Sequence, residues 1–300
     1  MIYTLTLNPA LDYVTYVDGY QDAAINRAKR TTISAGGKGI NVSLILKELE
    51  VDSVSLGFIA GFTGAEIKRQ LDEQGLKNDF VALKSGLSRI NVKIKSDNET
   101  DINASGPEIS TEELEEMFHS FDKLCDEDYL VLSGSVPNGV PKSIYCDILE
   151  RLSDRKINVV VDAEGQLLLG ALPYKPFLIK PNHHELGAIF DTEIGDVQTA
   201  ACYAKKLQEM GAQNVLVSMG GDGAVLLTED GDFISSPSPK GTLVNSTCAG
   251  DSMVAGFIAG YLKENSFEYA LKLGLCSGSA TAFSEGLGKK EMIFDLLENI

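Results

Sequence analysis

The sequence predicts an α/β protein whose mostly parallel sheet is covered by helices on both faces. Two observations carry this prediction. From about residue 50 onward, short runs rich in Val, Ile and Leu alternate with amphipathic stretches, which is typical of successive βα units. The 300 residues are 44% hydrophobic and 23% charged, enough apolar material for a sizeable core. Two domains would fit this length, but one large α/β domain is equally ordinary, and we expect a single domain over 1–300.

Six apolar runs are predicted as strands of the sheet, and they cover residues 2–7, 53–58, 129–133, 158–162, 177–180 and 214–218. A helix is predicted over 111–124, because Ser110 and Glu113 have the spacing of a capping box. Another helix is expected to begin near Pro141, since proline is well tolerated in a first turn.

Two polar segments, 13–34 and 89–103, interrupt this alternation. Both read as short strands with alternating character, and neither has room for a crossover helix. If they pair with each other, they form a small separate sheet that serves as a lid over a pocket or as a dimer surface. The alternative is that they are ordinary edge hairpins without a role.

Charge and cysteine content exclude several classes of protein. The formal net charge of −17 would repel nucleic acid and anionic membranes, so an anionic small substrate requires a locally positive site. The longest uncharged stretches have 13 residues and cannot span a bilayer, and the N-terminus lacks a basic signal region, so a cytoplasmic location is expected. Five cysteines without a C-x-x-C pair speak against a disulfide framework and a zinc site.

The first chemical motif is the glycine-rich segment 35–43, AGGKGINVS, which leads into an apolar helical pattern. Backbone N–H groups at such a helix start can surround an anion or a polyol, and Lys38 adds positive charge. The segment fits neither the dinucleotide-binding fingerprint nor the Walker A pattern, because Val42 replaces the third glycine and Gly39 replaces the Ser or Thr. A mere tight turn is the alternative.

The second motif is the segment 245–252, NSTCAGDS, which again leads into a helix. Its first amides, near Ala249, Gly250 and Asp251, can hold charge that develops on a transferring phosphoryl group. A carboxylate at this point, Asp251, can take the proton of an attacking hydroxyl. The alternative for Asp251 is a plain helix cap.

Two further segments contain polar groups that suit a nucleotide. Asn182 and Glu185, in the segment KPNHHE, can reach a hydrated Mg²⁺ on nucleotide phosphates. The adjacent His183 and His184 point in different directions on a helix and are expected to face solvent or to support other groups. The glycine cluster 218–224, SMGGDGA, either lets a nucleotide approach the backbone or is a simple hairpin turn.

In this order, the G-G-K-G-x-N loop and the A-G-D-S helix start resemble the two signatures of the ribokinase, or PfkB, family of sugar kinases. The segment 4–12, TLTLNPALD, with Asn26-Arg27-Ala28 and Ser88-Arg89-Ile90-Asn91, resembles the phosphosugar branch of that family. The resemblance covers essentially the whole chain. It implies a ribokinase-like fold with a β-lid formed by 13–34 and 89–103, and a homodimer through this lid.

The resemblance also implies a role for each matching residue. Asp251 would be the catalytic base, and the amides of Ala249 and Gly250 would form the anion hole. The sugar hydroxyls would contact Asp12, Gly36, Gly37 and Asn41. The phosphate already on the substrate would contact Arg89, Lys38 and Arg27. The groups that line the ATP and Mg²⁺ side would be Lys180, Asn182, Glu185, Ser218, Gly220 and Gly223.

The implied reaction is transfer of a phosphoryl group from ATP to fructose 1-phosphate, giving fructose 1,6-bisphosphate. Tagatose 6-phosphate is the second candidate substrate and fructose 6-phosphate the third. A sugar-phosphate-binding regulator without chemistry is the alternative of another class, and an NAD-dependent dehydrogenase is disfavoured by the failed glycine fingerprint. The chain departs from the family at Cys248, where Gly is usual, and after Asp162, where the sequence AEGQ replaces the usual Thr-Ser-Gly-Glu.

Overall fold

The computed structural model describes all 300 residues and contains two sheets. The main sheet has nine strands in the order β13-β12-β11-β10-β9-β8-β1-β4-β5. The bounds of these strands are β1 Ile2–Thr6, β4 Ser53–Ala60, β5 Lys77–Leu83, β8 Tyr129–Ser133, β9 Asn158–Asp162, β10 Leu178–Ile179, β11 Asn214–Ser218, β12 Ala224–Leu227 and β13 Phe233–Ser236. All neighbours are parallel except the β11–β12 and β12–β13 pairs. The predicted mostly parallel sheet is confirmed.

Ten helices accompany the strands. Their bounds are α1 Lys38–Glu48, α2 Gly61–Glu73, α3 Thr111–Ser120, α4 Ile144–Arg151, α5 Gly165–Ala171, α6 His183–Phe190, α7 Val197–Glu209, α8 Ala249–Glu264, α9 Phe267–Ala282 and α10 Lys290–Leu297. Apolar residues of α1, α8, α9 and α10 form a core on one face of the main sheet, and those of α3 to α7 form the larger core on the other face. No helix has the length and apolar composition needed to cross a bilayer.

The capping box predicted before α3 is present: the Ser110 hydroxyl accepts from the Glu113 N–H, and the Glu113 carboxylate accepts from the Ser110 N–H. The helix expected near Pro141 begins three residues later, at Ile144. Pro141 instead lies in a preceding turn, where its carbonyl accepts the Ile144 N–H at 3.0 Å. The predicted helix 111–124 ends at Ser120 and continues as one turn of 3₁₀ helix.

The small sheet has four strands in the order β3-β2-β6-β7, with bounds β2 Ala10–Tyr16, β3 Arg30–Gly36, β6 Arg89–Lys95 and β7 Thr100–Asn103. The two polar segments therefore pair with each other, as the sequence predicts: β2 lies parallel to β6. The predicted boundary 13–34 is too narrow, because the strands run from Ala10 to Gly36. Of the extra residues, Ala10, Leu11, Ala35 and Gly36 are buried and Asp12 is half-buried, so their pattern does not look like that of an exposed strand.

Candidate active site

The two glycine-containing motifs meet in space, although 210 residues separate them in the sequence. Asp251 lies in the first turn of α8, and its Oδ2 accepts a hydrogen bond from Asn41 Nδ2, on α1, at 2.8 Å. Both helices pack on the same face of the main sheet and begin at its carboxyl edge. In such folds, ligands usually bind at the edge of the parallel sheet that is formed by the carboxyl ends of its strands.

At two positions of the first motif, only glycine fits, because neighbouring atoms leave no room for a side chain. Gly37 precedes α1 with φ of 135°, a conformation that side chains rarely adopt, and a Cβ there would lie 2.5 Å from Thr6 Cγ2. A Cβ at Gly36 would lie 2.8 Å from Asp12 Oδ2. The loop can therefore press against β1 and against the Asp12 carboxylate only if both positions lack side chains.

The start of α8 leaves two backbone amides free. The Ala249 N–H donates to the Ser246 carbonyl at 3.3 Å, whereas the N–H groups of Gly250 and Asp251 have no acceptor within the chain. Of the three amides that the sequence offers to an anion, near Ala249, Gly250 and Asp251, only the last two therefore lack an acceptor in the chain. The reason is a turn before the helix, with Cys248 in the left-handed conformation, that uses the Ala249 amide.

A buried charge cluster lies beside this helix start. The Asp162 carboxylate, at the end of β9, is 3.4 Å from Lys38 Nζ and 3.0 Å from Lys180 Nζ. Burial would raise the pKa of Asp162, but the two ammonium groups hold it below its ordinary value. Burial would likewise lower the pKa of Lys38, but the carboxylates of Asp162, Asp251 and Glu185 offset burial and raise it.

The environment of Asp251 suits a proton acceptor. Its side chain is buried, and burial followed by the charge of Asp162 raises its pKa to about 7, against the opposing effects of Lys38 and the Asn41 amide. A general base works best when its pKa lies near the working pH. Asp251 is not the N-cap of α8, because Cys248 holds that position, and its carboxylate accepts its hydrogen bond from the Asn41 amide.

The small sheet carries polar and charged side chains on one face. On β2, Asp12 accepts from Asn91 Nδ2 at 3.0 Å and pairs with Lys93 Nζ at 3.1 Å. Arg89, Asn91 and Lys93 alternate along β6 and so share one face of the strand. Sequence reasoning selected Asp12 and Arg89 but missed Asn91 and Lys93 as site residues, although their spacing of two could have identified them.

A cavity of about 380 Å³ lies at the carboxyl edge of the main sheet, where β6 of the small sheet reaches it through Arg89. Arg89, Lys38 and Gly37 line it, together with Ser133 and Gly134 at the end of β8. The Ser133 hydroxyl is buried without a hydrogen-bond partner in the chain, and Arg89 uses only its Nε, which donates to the Asn8 carbonyl. Two cations and an unpartnered hydroxyl make this cavity suitable for a phosphate. Sequence reasoning missed Ser133, which looks like an ordinary strand residue.

Arg27 does not reach this cavity within one chain. It is exposed in the loop between β2 and β3. That loop joins Tyr16 to Arg30, at the end of β2 and β3 opposite to the end where Ala10 pairs with Gly36.

The residues predicted for the nucleotide side have two kinds of surroundings. Lys180 lies against the first turn of α8, because a Cβ at Gly250 would be 3.2 Å from its Nζ. Ser218 ends β11 and its segment bridges to that of Asn182. Gly220 is exposed, with φ of 61° and open space around it, and so can be approached by a ligand.

Gly223 is instead required by the hairpin of β11 and β12, since it has φ of 100° and a Cβ there would lie 2.1 Å from the Ser236 carbonyl oxygen. The two interpretations of the 218–224 cluster therefore apply to different glycines. Gly220 leaves room for a ligand, whereas Gly223 serves the turn.

Asn182 and Glu185 form a capping box for α6: Asn182 Oδ1 accepts the Glu185 N–H, and Glu185 Oε2 accepts the Asn182 N–H, each at 2.8 Å. This leaves Glu185 Oε1 and the Asn182 amide nitrogen for a ligand. No three His, Cys, Asp or Glu side chains converge as a metal cage. The residues therefore fit a hydrated Mg²⁺ held mainly by nucleotide phosphates, with one carboxylate oxygen from the chain.

The two adjacent histidines stack on each other, with ring centroids 3.9 Å apart, and His183 Nδ1 lies 3.3 Å from the Ser218 carbonyl oxygen. They line a second, more open cavity of about 670 Å³ beside α6. Asp191, Glu193 and Asp222 give its wall negative charge, which makes it unsuitable for a phosphosugar.

Cys248 is not positioned as a reactive thiol. Burial and the neighbouring Asp251 raise its pKa to about 12, so the thiolate is scarce at neutral pH. With iodoacetamide at pH 7.5, we expect the exposed Cys125 and Cys202 to be alkylated first, with Cys248 unmodified and activity retained. Peptide mass spectrometry against residual activity measures this, and inactivation that follows Cys248 alkylation would contradict it.

Comparison with known proteins agrees with this geometry. The family model described as "pfkB family carbohydrate kinase" matches residues 5–292. The chain belongs to this family. It is therefore a phosphotransferase. Sugar kinases of this family use ATP and typically Mg²⁺.

Two curated relatives cover nearly the whole chain. A 1-phosphofructokinase of Bacillus subtilis is 48% identical over 300 residues, which is 100% of this chain and 98% of the relative. A D-tagatose-1-phosphate kinase of Bacillus licheniformis is 38% identical over 290 residues, with coverage of 96% and 94%. These names support a kinase that acts on a ketohexose phosphate.

Solved structures of the family share the architecture. Phosphofructokinase-2 of Escherichia coli, in complex with substrates and products, superposes with a TM-score of 0.93 at 26% identity, over 99% of this chain and 98% of the other. Ribokinase of Arabidopsis thaliana, with ribose and ATP, superposes with a TM-score of 0.78 at 18% identity, over 99% and 98%. The fold is thus ribokinase-like, as the resemblance implies.

Proposed function

We propose that this protein transfers the γ-phosphoryl group of ATP to the 6-hydroxyl of fructose 1-phosphate, giving fructose 1,6-bisphosphate and ADP. The observation that carries the proposal is the meeting of Asp251 with the glycine loop through Asn41, beside a cationic cavity. We further propose that residues 1–300 form one catalytic domain, that it acts in the cytoplasm, and that the small sheet is its lid.

In the proposed mechanism, the phosphate already on the sugar lies in the cavity with Arg89 and Lys38, and Asp12, Gly36 and Asn91 receive the sugar hydroxyls. The other end of the sugar then faces Asp251. Its carboxylate accepts the proton of the attacking hydroxyl, whose oxygen forms the new bond to the γ-phosphorus as the bond to the ADP oxygen breaks.

The charge on the transferring group is met by the free amides of Gly250 and Asp251 and by the Lys180 ammonium. Glu185, Asn182, Ser218 and Gly220 would border the nucleotide, and Glu185 would reach the hydrated Mg²⁺. That ion would neutralise phosphate charge and orient the phosphates.

A tagatose phosphate is the main alternative substrate. Tagatose differs from fructose in its configuration at carbon 4. The tagatose-specific relative is named for the 1-phosphate, whereas the sequence-based alternative is tagatose 6-phosphate.

A coupled assay with MgATP should compare kcat/KM for both tagatose phosphates, fructose 1-phosphate, fructose 6-phosphate and fructose. We expect a preference of about 100-fold, or roughly 2.7 kcal/mol, for fructose 1-phosphate. Preference for a tagatose phosphate would reassign the substrate. If none of these sugars were phosphorylated, the result would favour a sugar-phosphate-binding regulator without catalytic activity.

We propose that a second copy of the chain covers the outer face of the lid. Cross-strand partners lie on the same face, so Tyr13, Ile33, Val92 and Ile102 form an apolar surface opposite the polar one. Ile33 and Ile102 are 52% and 57% exposed, and the edges of β3 and β7 are unpaired.

Light scattering after gel filtration should give a dimer for the parent chain and a monomer for Ile102→Asp. Met210→Asp, at another exposed apolar residue, should leave the dimer intact. A monomeric parent chain would contradict the proposal.

A further inference from the structure

We propose that Asp162 is a positioning residue, whose buried carboxylate holds Lys38 and Lys180 on opposite sides of the phosphoryl-transfer point and sets the charge around Asp251. This inference rests on the proposed function and deepens it.

The position of Asp162 is fixed by the sheet. Asp162 ends β9, in register with Ser133 of β8, and its side chain is 2% exposed. Lys38 Nζ is 3.4 Å from Oδ2 and Lys180 Nζ is 3.0 Å from Oδ1, so one carboxylate lies between two cations. Oδ1 gains only the ion pair, because the angle to Lys180 does not make a hydrogen bond.

The two lysines serve different parts of the site. Lys38 lines the cavity with Arg89, where the phosphate of the sugar is expected. Lys180 lies against Gly250, where the transferring group is expected. Asp162 is the one group in contact with both ammonium groups, and so it links the two subsites.

The charges of this cluster balance in pairs. Lys38 and Lys180 are the cations, and Asp162 and Asp251 are the anions. Without Asp162, Lys38 and Lys180 would lose their ion-pair partner, while both would still act on the Asp251 carboxylate. They would stabilise its ionised form, and a more stable carboxylate accepts a proton less readily.

Charged and polar groups of several elements act on Asp251 or on its neighbours. Asp162, at the end of β9, raises the pKa of Asp251, whereas Lys38 and Asn41 on α1 and Lys180 after β10 lower it. Glu185 on α6 acts on Lys38, and Lys93 and Asp12 of the small sheet act on Cys248, which precedes α8. Among the acidic groups, Asp162 has the largest effect on the pKa of Asp251.

The test compares Asp162→Asn with Asp162→Glu in the full chain, by the pH dependence of kcat/KM for fructose 1-phosphate with MgATP. Asp162→Asn should lower kcat/KM at pH 8 by about tenfold or more. The acid limb of its pH profile, the range over which kcat/KM rises with pH, should move to lower pH by about one pH unit. Asp162→Glu keeps the charge but displaces it, so its acid limb should stay in place while kcat falls.

Asp128→Asn is the matched control. Asp128 is also buried and ion-paired, to the N-terminal amine at 2.6 Å, but it precedes β8 at the opposite edge of the same sheet. This variant should lose stability without any movement of the acid limb. Thermal melts check that each variant is folded.

An acid limb of Asp162→Asn that stays in place or moves to higher pH would overturn the inference. Should Asp162→Asn not fold, full wild-type activity of Asp162→Glu would overturn it, because the position of the charge would then be immaterial. Asp251→Asn separates the two claims: if that variant stays active, the proposed function fails, whereas an inactive Asp251→Asn with an unmoved limb in Asp162→Asn rejects only the role of Asp162.

Discussion

Asp251→Asn should lower kcat by about 10²–10⁴-fold, because the amide cannot accept the proton of the sugar hydroxyl. The change keeps the size of the side chain, so the KM for the phosphosugar should remain close to that of the parent enzyme. Glu268→Gln is a matched control, since Glu268 lies in the first turn of the adjacent helix α9 without facing the site. A fall in kcat of less than about tenfold would show that Asp251 is not the base.

Although Asp251→Asn should lower activity, it should raise the stability of the folded protein at high pH. The pKa of Asp251 is about 7 in the folded protein, above its ordinary value of 3.8, so ionisation costs more in the folded state than in the unfolded state. This destabilisation grows between about pH 4 and pH 7 and is complete above pH 7. Asp251→Asn should therefore raise the Tm at pH 8 and raise it much less at pH 4. An equal change in Tm at both pH values would contradict this environment for Asp251.

Arg89→Ala should raise the KM for fructose 1-phosphate by about 10- to 100-fold, since a hydrogen bond to a charged group contributes about 1.5–3 kcal/mol. The KM for ATP should change little, because Arg89 lines the cavity on the sugar side. Arg69→Ala is the control: Arg69 is exposed on α2 and paired with Glu66 and Glu73. Equal effects on both KM values would place Arg89 outside the phosphosugar subsite.

Local patterns predicted most of the fold. Five of the six expected strands are long enough to pair over at least five residues, and their apolar runs are continuous because the strands are buried on both faces. The sixth, β10, is a strand only over Leu178 and Ile179, because Pro181 has no N–H to donate to the sheet, and the pairing with β11 resumes as a single bridge between Asn182 and Ser218. The small sheet was predicted from polar alternation, but the full length of β2 and β3 was not, because Leu11 and Ala35 are buried against α1 and α2.

The sequence predicted only those candidate site residues that lie in a recognisable motif. The glycine loop and the start of α8 carry recognisable sequences, whereas Asp162 and Ser133 end ordinary apolar strands. Their importance comes from register, which aligns Thr6, Ser133 and Asp162 at one edge of the sheet. Likewise, no local pattern shows that a turn before α8 uses the Ala249 amide.

The central claim is that this chain transfers a phosphoryl group to a phosphosugar. ³¹P NMR of the purified protein with MgATP and fructose 1-phosphate follows every phosphorus atom in the reaction. The account predicts that the γ-phosphate signal of ATP disappears as ADP and a second phosphate-ester signal on the sugar appear in equal amounts. Release of inorganic phosphate in place of the new ester, or no change in the ATP signals, would contradict it.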